Sequence, residues 1–108
     1  MNETLFDLYK VILDRKENPQ EGSYTCYLFS KGLDKILKKV GEECAETIIA
    51  AKNENNDELC YEICDLIYHL LVMAAEKELP IEDIFNELDK RSEKIGNLKT
   101  MKTVDRLS

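Results

Sequence analysis

Residues 33–77, LDKILKKVGEECAETIIAAKNENNDELCYEICDLIYHLLVMAAEK, decide the fold. Leu33, Ile36, Leu37, Val40, Cys44, Ile48 and Ala51 recur at helical spacing for some five turns, which predicts a helix from about Leu33 to Lys52. Asn53, Glu54, Asn55, Asn56 and Asp57 form a polar turn with a ready N-cap, and a second helix is predicted from about Glu58 to Lys77. So short a connection makes the two helices antiparallel neighbours.

The same stretch carries the chain's charge. Its segment 42–65 holds eight acids (Glu42, Glu43, Glu46, Glu54, Asp57, Glu58, Glu62, Asp65) and one base, Lys52, a net of −7 that equals the net charge of all 108 residues. Outside it the acids and bases balance, so the acidity is a local feature. At about 100° per residue, Glu43 borders the apolar stripe of its helix, Glu46 lies beside it and Glu42 points furthest outward. Glu62 and Asp65 form one edge of the following helix. Counted from the turn centre, Glu46 and Glu62 both lie about 12 Å along the axis at 1.5 Å per residue, so the two groups face each other. Four carboxylates gathered in a partly apolar crevice repel one another unless a cation sits among them. The expected ligands are Glu43, Glu46, Glu62 and Asp65, and oxygen-only donors select a hard ion such as Mg²⁺, with Mn²⁺ as the alternative. Glu42 is left as the group that orients a water molecule.

Other metals fit less well. A di-iron bundle needs Glu-x-x-His motifs, and Leu66 stands three residues before His69. Zinc would want cysteine, but Cys60 and Cys64 lie about 150° around the helix from the carboxylate edge. Three of the four cysteines fall at apolar helix positions and are expected to pack in the core as small hydrophobes. His69, in line with Glu62 and Asp65, is expected to bond a carboxylate or the backbone and brace the site. Lys31, Lys35 and Lys39 fall on the side of Glu42 and Glu46, one to three turns earlier, so one face runs from basic to acidic. Such a face suits a phosphate chain held partly by ammonium groups and partly by metal.

Working outward, Leu5, Leu8, Tyr9 and Ile12 predict a first helix from about Thr4 to Lys16, stopped by Asn18-Pro19 and Gly22. Residues 24–30 are mixed aromatic and polar, with room for a single short turn of helix. Pro80 opens a last helix to about Lys94, with Ile81, Ile84, Phe85 and Leu88 as its buried stripe, ended by Gly96. The fold class is therefore all-α, a bundle of about four helices, with one domain over residues 1–96 and a polar tail over 97–108. Four helices in a chain this small bury a modest core, so a homodimer is expected. The net negative charge argues against a nucleic-acid binder, and no stretch reaches the 18 or so apolar residues of a membrane span. With no signal-like start, the chain is expected in the cytoplasm with reduced thiols.

Several runs are more specific than the acidic pattern. They are Asp14-Arg15-Lys16, Asn18-Pro19, Gly22-Ser23-Tyr24-Thr25, Tyr27-Leu28-Phe29, Lys31-Gly32-Leu33-Asp34-Lys35-Ile36 and Lys38-Lys39-Val40-Gly41-Glu42-Glu43. Then come Glu46, Ala50-Ala51-Lys52 and Glu62-x-x-Asp65-Leu66-x-Tyr68-His69-Leu70-Leu71. In this order, over about residues 5–95, the chain closely resembles the phosphoribosyl-ATP pyrophosphatases of histidine biosynthesis, within the MazG-like all-α nucleotide pyrophosphohydrolases. The resemblance implies hydrolysis of the α,β-phosphoanhydride of phosphoribosyl-ATP to phosphoribosyl-AMP and pyrophosphate, with Mg²⁺ and as a dimer. It makes Glu42 and Glu43 the expected catalytic acids, Glu42 as the water-orienting base. It makes Arg15, Lys16, Ser23, Thr25, Lys31, Lys35 and Lys39 the expected contacts to the phosphates and ribose phosphate. Cysteine at 44, 60 and 64 departs from the small or aliphatic residues more usual there. In many organisms this domain is fused to a cyclohydrolase, for which 108 residues leave no room, so the single step is expected. Two other readings stand beside it: a house-cleaning dNTP pyrophosphohydrolase, distinguished by residues 17–31, and a non-catalytic helical binding module.

Overall fold

A computed structural model describes residues 2–95 as five helices: α1 Asn2–Glu17, α2 Tyr24–Lys31, α3 Leu33–Lys52, α4 Asn56–Glu76 and α5 Ile81–Ile95. The proposed tail over 97–108 and the stop at Gly96 lie outside the described residues. The expected bundle of about four helices gains one, because residues 24–31 form two full turns rather than a single short one. Its ends explain why. The Ser23 hydroxyl accepts the Cys26 N–H at 3.2 Å as an N-cap, and the Gly32 N–H donates to the Leu28 carbonyl at 3.0 Å. Gly32 has φ of 93°, a conformation that side-chain-bearing residues rarely adopt, and it lets one residue turn the chain from α2 into α3.

Among the described residues, helices α3 and α4 make the most extensive contact, as their short connection requires. The turn is closed by Asn55, whose side chain accepts the Glu58 N–H at 3.1 Å. Against one side of this pair lie α1 and α2. The core is built from Tyr9, Ile12, Leu28, Ile36, Val72 and Ala75, with Leu71, Ala74 and Ile81 closing it towards α5. The Tyr9 hydroxyl donates to the Leu79 carbonyl at 2.7 Å, which ties α1 to the α4–α5 turn, and the Phe6 and Phe85 rings meet at 4.7 Å.

The expectation that three cysteines pack in the core is corrected. Cys44, Cys60 and Cys64 are exposed and Cys26 is partly covered. Periodicity locates an apolar stripe but not the element that covers it. The second apolar side of the α3–α4 pair carries Leu37, Ile48, Ile63 and Leu70, which are exposed along with those thiols.

Candidate metal and phosphate site

Antiparallel packing puts the third and fourth turns of α3 beside the second and third turns of α4. Thr47 marks the level: its hydroxyl donates to the Glu43 carbonyl at 2.7 Å and lies 3.4 Å from that of Glu62. At this level Glu43, Glu46, Glu62 and Asp65 each bring one carboxylate oxygen into a group whose members all lie within 4.8 Å of one another. Glu43 is 3% exposed, Glu62 and Asp65 are half-buried, and Glu46 opens to solvent.

The electrostatics of this group are strained. Burial, followed by the neighbouring Asp65 and Glu46, pushes the Glu43 carboxyl up to about 7. Burial also pushes Glu62 up, helped by Glu46 and Asp65. Two buried oxygens, Glu43 Oε2 and Glu62 Oε1, have no hydrogen-bond partner. Unpartnered buried carboxylate oxygens are costly, and hard oxygen donors in this number are what a divalent cation would accept. The residues present therefore fit such an ion.

Around the four acids the expected residues take different places. Lys39 Nζ lies 3.6 Å from Glu43 and 3.4 Å from Glu42, so it faces the group directly. Glu42 itself stands outside the four, its side chain 46% exposed at the rim. His69, 2% exposed, donates from Nδ1 to the Asp65 carbonyl at 2.8 Å, with Asp65 Oδ1 at 3.4 Å. That leaves Nε2 as an acceptor for the Tyr24 hydroxyl at 3.0 Å. With both nitrogens engaged, His69 braces Asp65 from behind.

The other basic and hydroxyl residues have local partners. Lys31 and Lys35 carry their ammonium groups to 5.7 and 6.0 Å from the centre of the Tyr27 ring. Arg15 pairs with Asp14 at 3.0 Å. Lys16 donates to the Ala75 carbonyl at 3.0 Å. That carbonyl is ten residues beyond Asp65, about 15 Å along α4, so Lys16 is remote from the carboxylates within this chain. The Ser23 hydroxyl caps α2, and the Thr25 hydroxyl shares a hydrogen bond with the Tyr68 phenol.

Sequence reasoning missed three contributors. Thr47 sets the α3–α4 level, and Tyr24 and Tyr68 tie α2 to α4 through His69 and Thr25. The signal for Tyr24 is its spacing with Tyr27 and Leu28, which reads as a helix face once α2 is given its cap at Ser23. A cavity of about 730 Å³ is lined by hydrocarbon from Leu5, Leu37, Leu70, Ile84 and Phe85, and the carboxylates are not part of it. Among the described residues no helix is long and apolar enough to cross a membrane.

Residues 5–92 match the family model for phosphoribosyl-ATP pyrophosphohydrolase. The chain is 64% identical over 93 residues to a phosphoribosyl-ATP pyrophosphatase of Clostridium novyi, covering 86% of this chain and 84% of that protein. It is 62% identical over 98 residues to the phosphoribosyl-ATP pyrophosphatase of Clostridium acetobutylicum, covering 91% and 89%. A histidine biosynthesis bifunctional protein of Caldanaerobacter subterraneus is 59% identical over 92 residues, which cover 85% of this chain and 45% of that longer protein.

Proposed function

This chain belongs to the phosphoribosyl-ATP pyrophosphohydrolase family, and on that premise we propose that it hydrolyses the α,β-phosphoanhydride of phosphoribosyl-ATP. The products are phosphoribosyl-AMP and pyrophosphate, in a step of histidine biosynthesis. The observation that carries the reading is the meeting of Glu43, Glu46, Glu62 and Asp65 within 4.8 Å, with two buried oxygens unpartnered, in a chain so similar to named phosphoribosyl-ATP pyrophosphatases.

Those four residues would hold Mg²⁺, or Mn²⁺ in its place. When bound, the cation would neutralise phosphate charge and make phosphorus more electrophilic. The chain's own groups do the rest. Glu42, exposed at the rim beside Lys39, takes the proton of the attacking water as its oxygen bonds to phosphorus. The anhydride P–O bond breaks and pyrophosphate leaves. Lys39, held between Glu42 and Glu43, offers its ammonium to the departing charge, and Lys31 and Lys35 extend the cationic side along α2 and α3. His69 keeps Asp65 oriented by holding its carbonyl and the turn of α4 that carries it.

The same reading includes a MazG-like homodimer, with a second copy on the exposed side of α3 and α4. Leu37, Ile48, Ile63 and Leu70 give that face the apolar character of a helix-bundle interior. A biosynthetic step on a soluble nucleotide supports a cytoplasmic location. The dNTP pyrophosphohydrolase and the non-catalytic module gain no support from the similarity. A competition assay tests this directly: turnover of phosphoribosyl-ATP in preference to dNTPs is the expected result. Turnover of dNTPs with none of phosphoribosyl-ATP would overturn the assignment.

A further inference from the structure

One surface of α2 is not used by the chemistry above. Tyr24 and Tyr27, one turn apart, are 45% and 42% exposed, and their rings lie 6.1 Å apart at an angle of only 22°. Beside them is an open cavity of about 570 Å³, walled by these two rings and by Pro19, Gln20 and Gly22 of the α1–α2 loop. That volume is within the range of small-molecule sites. The ring orientations are set in advance. Tyr24 is anchored through its hydroxyl to buried His69, and Tyr27 is stacked on Tyr24. The Lys31 and Lys35 ammonium groups lie over the Tyr27 ring, 5.7 and 6.0 Å from its centre, and so bring positive charge to it.

We propose that this surface is a purine-base subsite, in which the adenine of the nucleotide stacks on Tyr27 in the cavity under the α1–α2 loop. Lys31 and Lys35, whose ammonium groups lie over that ring, move off it as the base enters and receive the phosphate next to its ribose. An aromatic face recognises a flat base by stacking, and a nearby ammonium receives the phosphate attached to the same nucleoside. Gln20 lines the cavity and brings a side-chain amide that both donates and accepts, which suits the edge of a purine. The cavity is also on the correct side of the molecule. Tyr24 bridges it to the carboxylate group, because the histidine that accepts its hydroxyl is the one that braces Asp65. A nucleotide with its base on Tyr27 thus directs its phosphates towards Lys39 and the four acids. This subsite rests on the nucleotide substrate proposed above, and it locates the part of that substrate remote from the bond that breaks.

The test is calorimetric titration of adenosine 5′-monophosphate into wild type, Tyr27→Phe, Tyr27→Leu and Tyr27→Ala, with inorganic pyrophosphate titrated in parallel. Helical content is checked by circular dichroism, and Tyr27→Leu keeps apolar bulk should Tyr27→Ala lose structure. The subsite predicts that Tyr27→Phe retains the affinity for the monophosphate. It predicts that Tyr27→Leu and Tyr27→Ala weaken it by about 5- to 150-fold, the equivalent of roughly 1–3 kcal/mol of stacking, while pyrophosphate binding stays within about twofold. Unchanged monophosphate affinity in folded Tyr27→Leu and Tyr27→Ala, or no binding of the monophosphate to wild type, overturns it. Phosphoribosyl-ATP turnover, measured on the same samples, separates the two claims. Normal turnover with a Tyr27-independent base refutes the subsite alone. Tyr27-dependent binding without any turnover refutes the reaction alone.

Discussion

Lys39 holds its ammonium 3.6 Å from Glu43, the one deeply buried carboxylate of the cluster, and 3.4 Å from Glu42 at the rim. One lysine therefore touches both the acid most in need of positive charge and the acid assigned to the water. A single exposed-side ammonium does not balance four carboxylates, and Glu43 accordingly stays far above the usual carboxylate range. The consequences of that imbalance can be measured.

The metal-free protein is predicted to lose stability as the pH rises from about 4.5 to about 7, the interval between the ordinary and the folded value of Glu43. In that interval the folded state binds more protons than the unfolded state, so the slope of stability with pH is negative. Glu62, also pushed up, acts in the same direction. Calorimetry in chelator should give a Tm at pH 7.5 several degrees below that at pH 5, with 10 mM Mg²⁺ closing much of the gap. A Tm that climbs over the same interval in chelator would contradict the account.

Glu43→Gln should separate stability from activity. It removes a charge from a buried group that already resists ionisation, so the metal-free protein at pH 8 should melt at a higher temperature than wild type. The Mg²⁺-induced rise in Tm should vanish, and kcat should fall by more than the roughly 10- to 100-fold typical of losing a group that only supports a ligand. Wild-type turnover in Glu43→Gln would remove Glu43 from the site.

Much of this site was legible in the residues themselves. The apolar period of α3 places Glu43 at the edge of the core, and the short turn at 53–55 puts Glu46 level with Glu62, because the rise per residue is fixed once both segments are helical. What could not be read was which neighbour covers which face. The stripe containing Cys44, Cys60 and Cys64 has the period of a buried surface, yet all three thiols are exposed. Helix α2 was obscured because only Leu28 of its eight residues is fully buried, so its period is carried by tyrosines and lysine rather than by aliphatic residues. The partners of Lys16 and Thr25 depend on contacts more than 40 residues away, Ala75 and Tyr68, which no local pattern encodes.

His69→Ala is predicted to cost about 2–4 kcal/mol in urea denaturation, from the cavity and from the Tyr24 hydroxyl and Asp65 carbonyl left without their partner. Tyr24→Phe removes one hydrogen bond and keeps the ring, so its cost should be about 1 kcal/mol. Equal effects of the two substitutions would show that the histidine contributes nothing beyond its bond to Tyr24.

The exposed face of α3 and α4 predicts a mass in sedimentation equilibrium of twice 12.5 kDa at micromolar concentration. Ile48→Glu or Leu70→Glu, each placing a charge in that face, should shift the protein towards monomer without loss of helical content. A monomer for the unsubstituted chain would leave the face without its proposed partner.

The central claim is that four carboxylates from α3 and α4 hold the cation on which phosphoribosyl-ATP hydrolysis depends. It is tested most directly by pyrophosphate release from phosphoribosyl-ATP as Mg²⁺ is titrated, in wild type and in Asp65→Asn. The wild type should be inactive in chelator and saturate with Mg²⁺, while Asp65→Asn should need a much higher Mg²⁺ concentration and reach a lower maximal rate. Equal rates with and without Mg²⁺, or an Asp65→Asn titration that overlays the wild type, would contradict it.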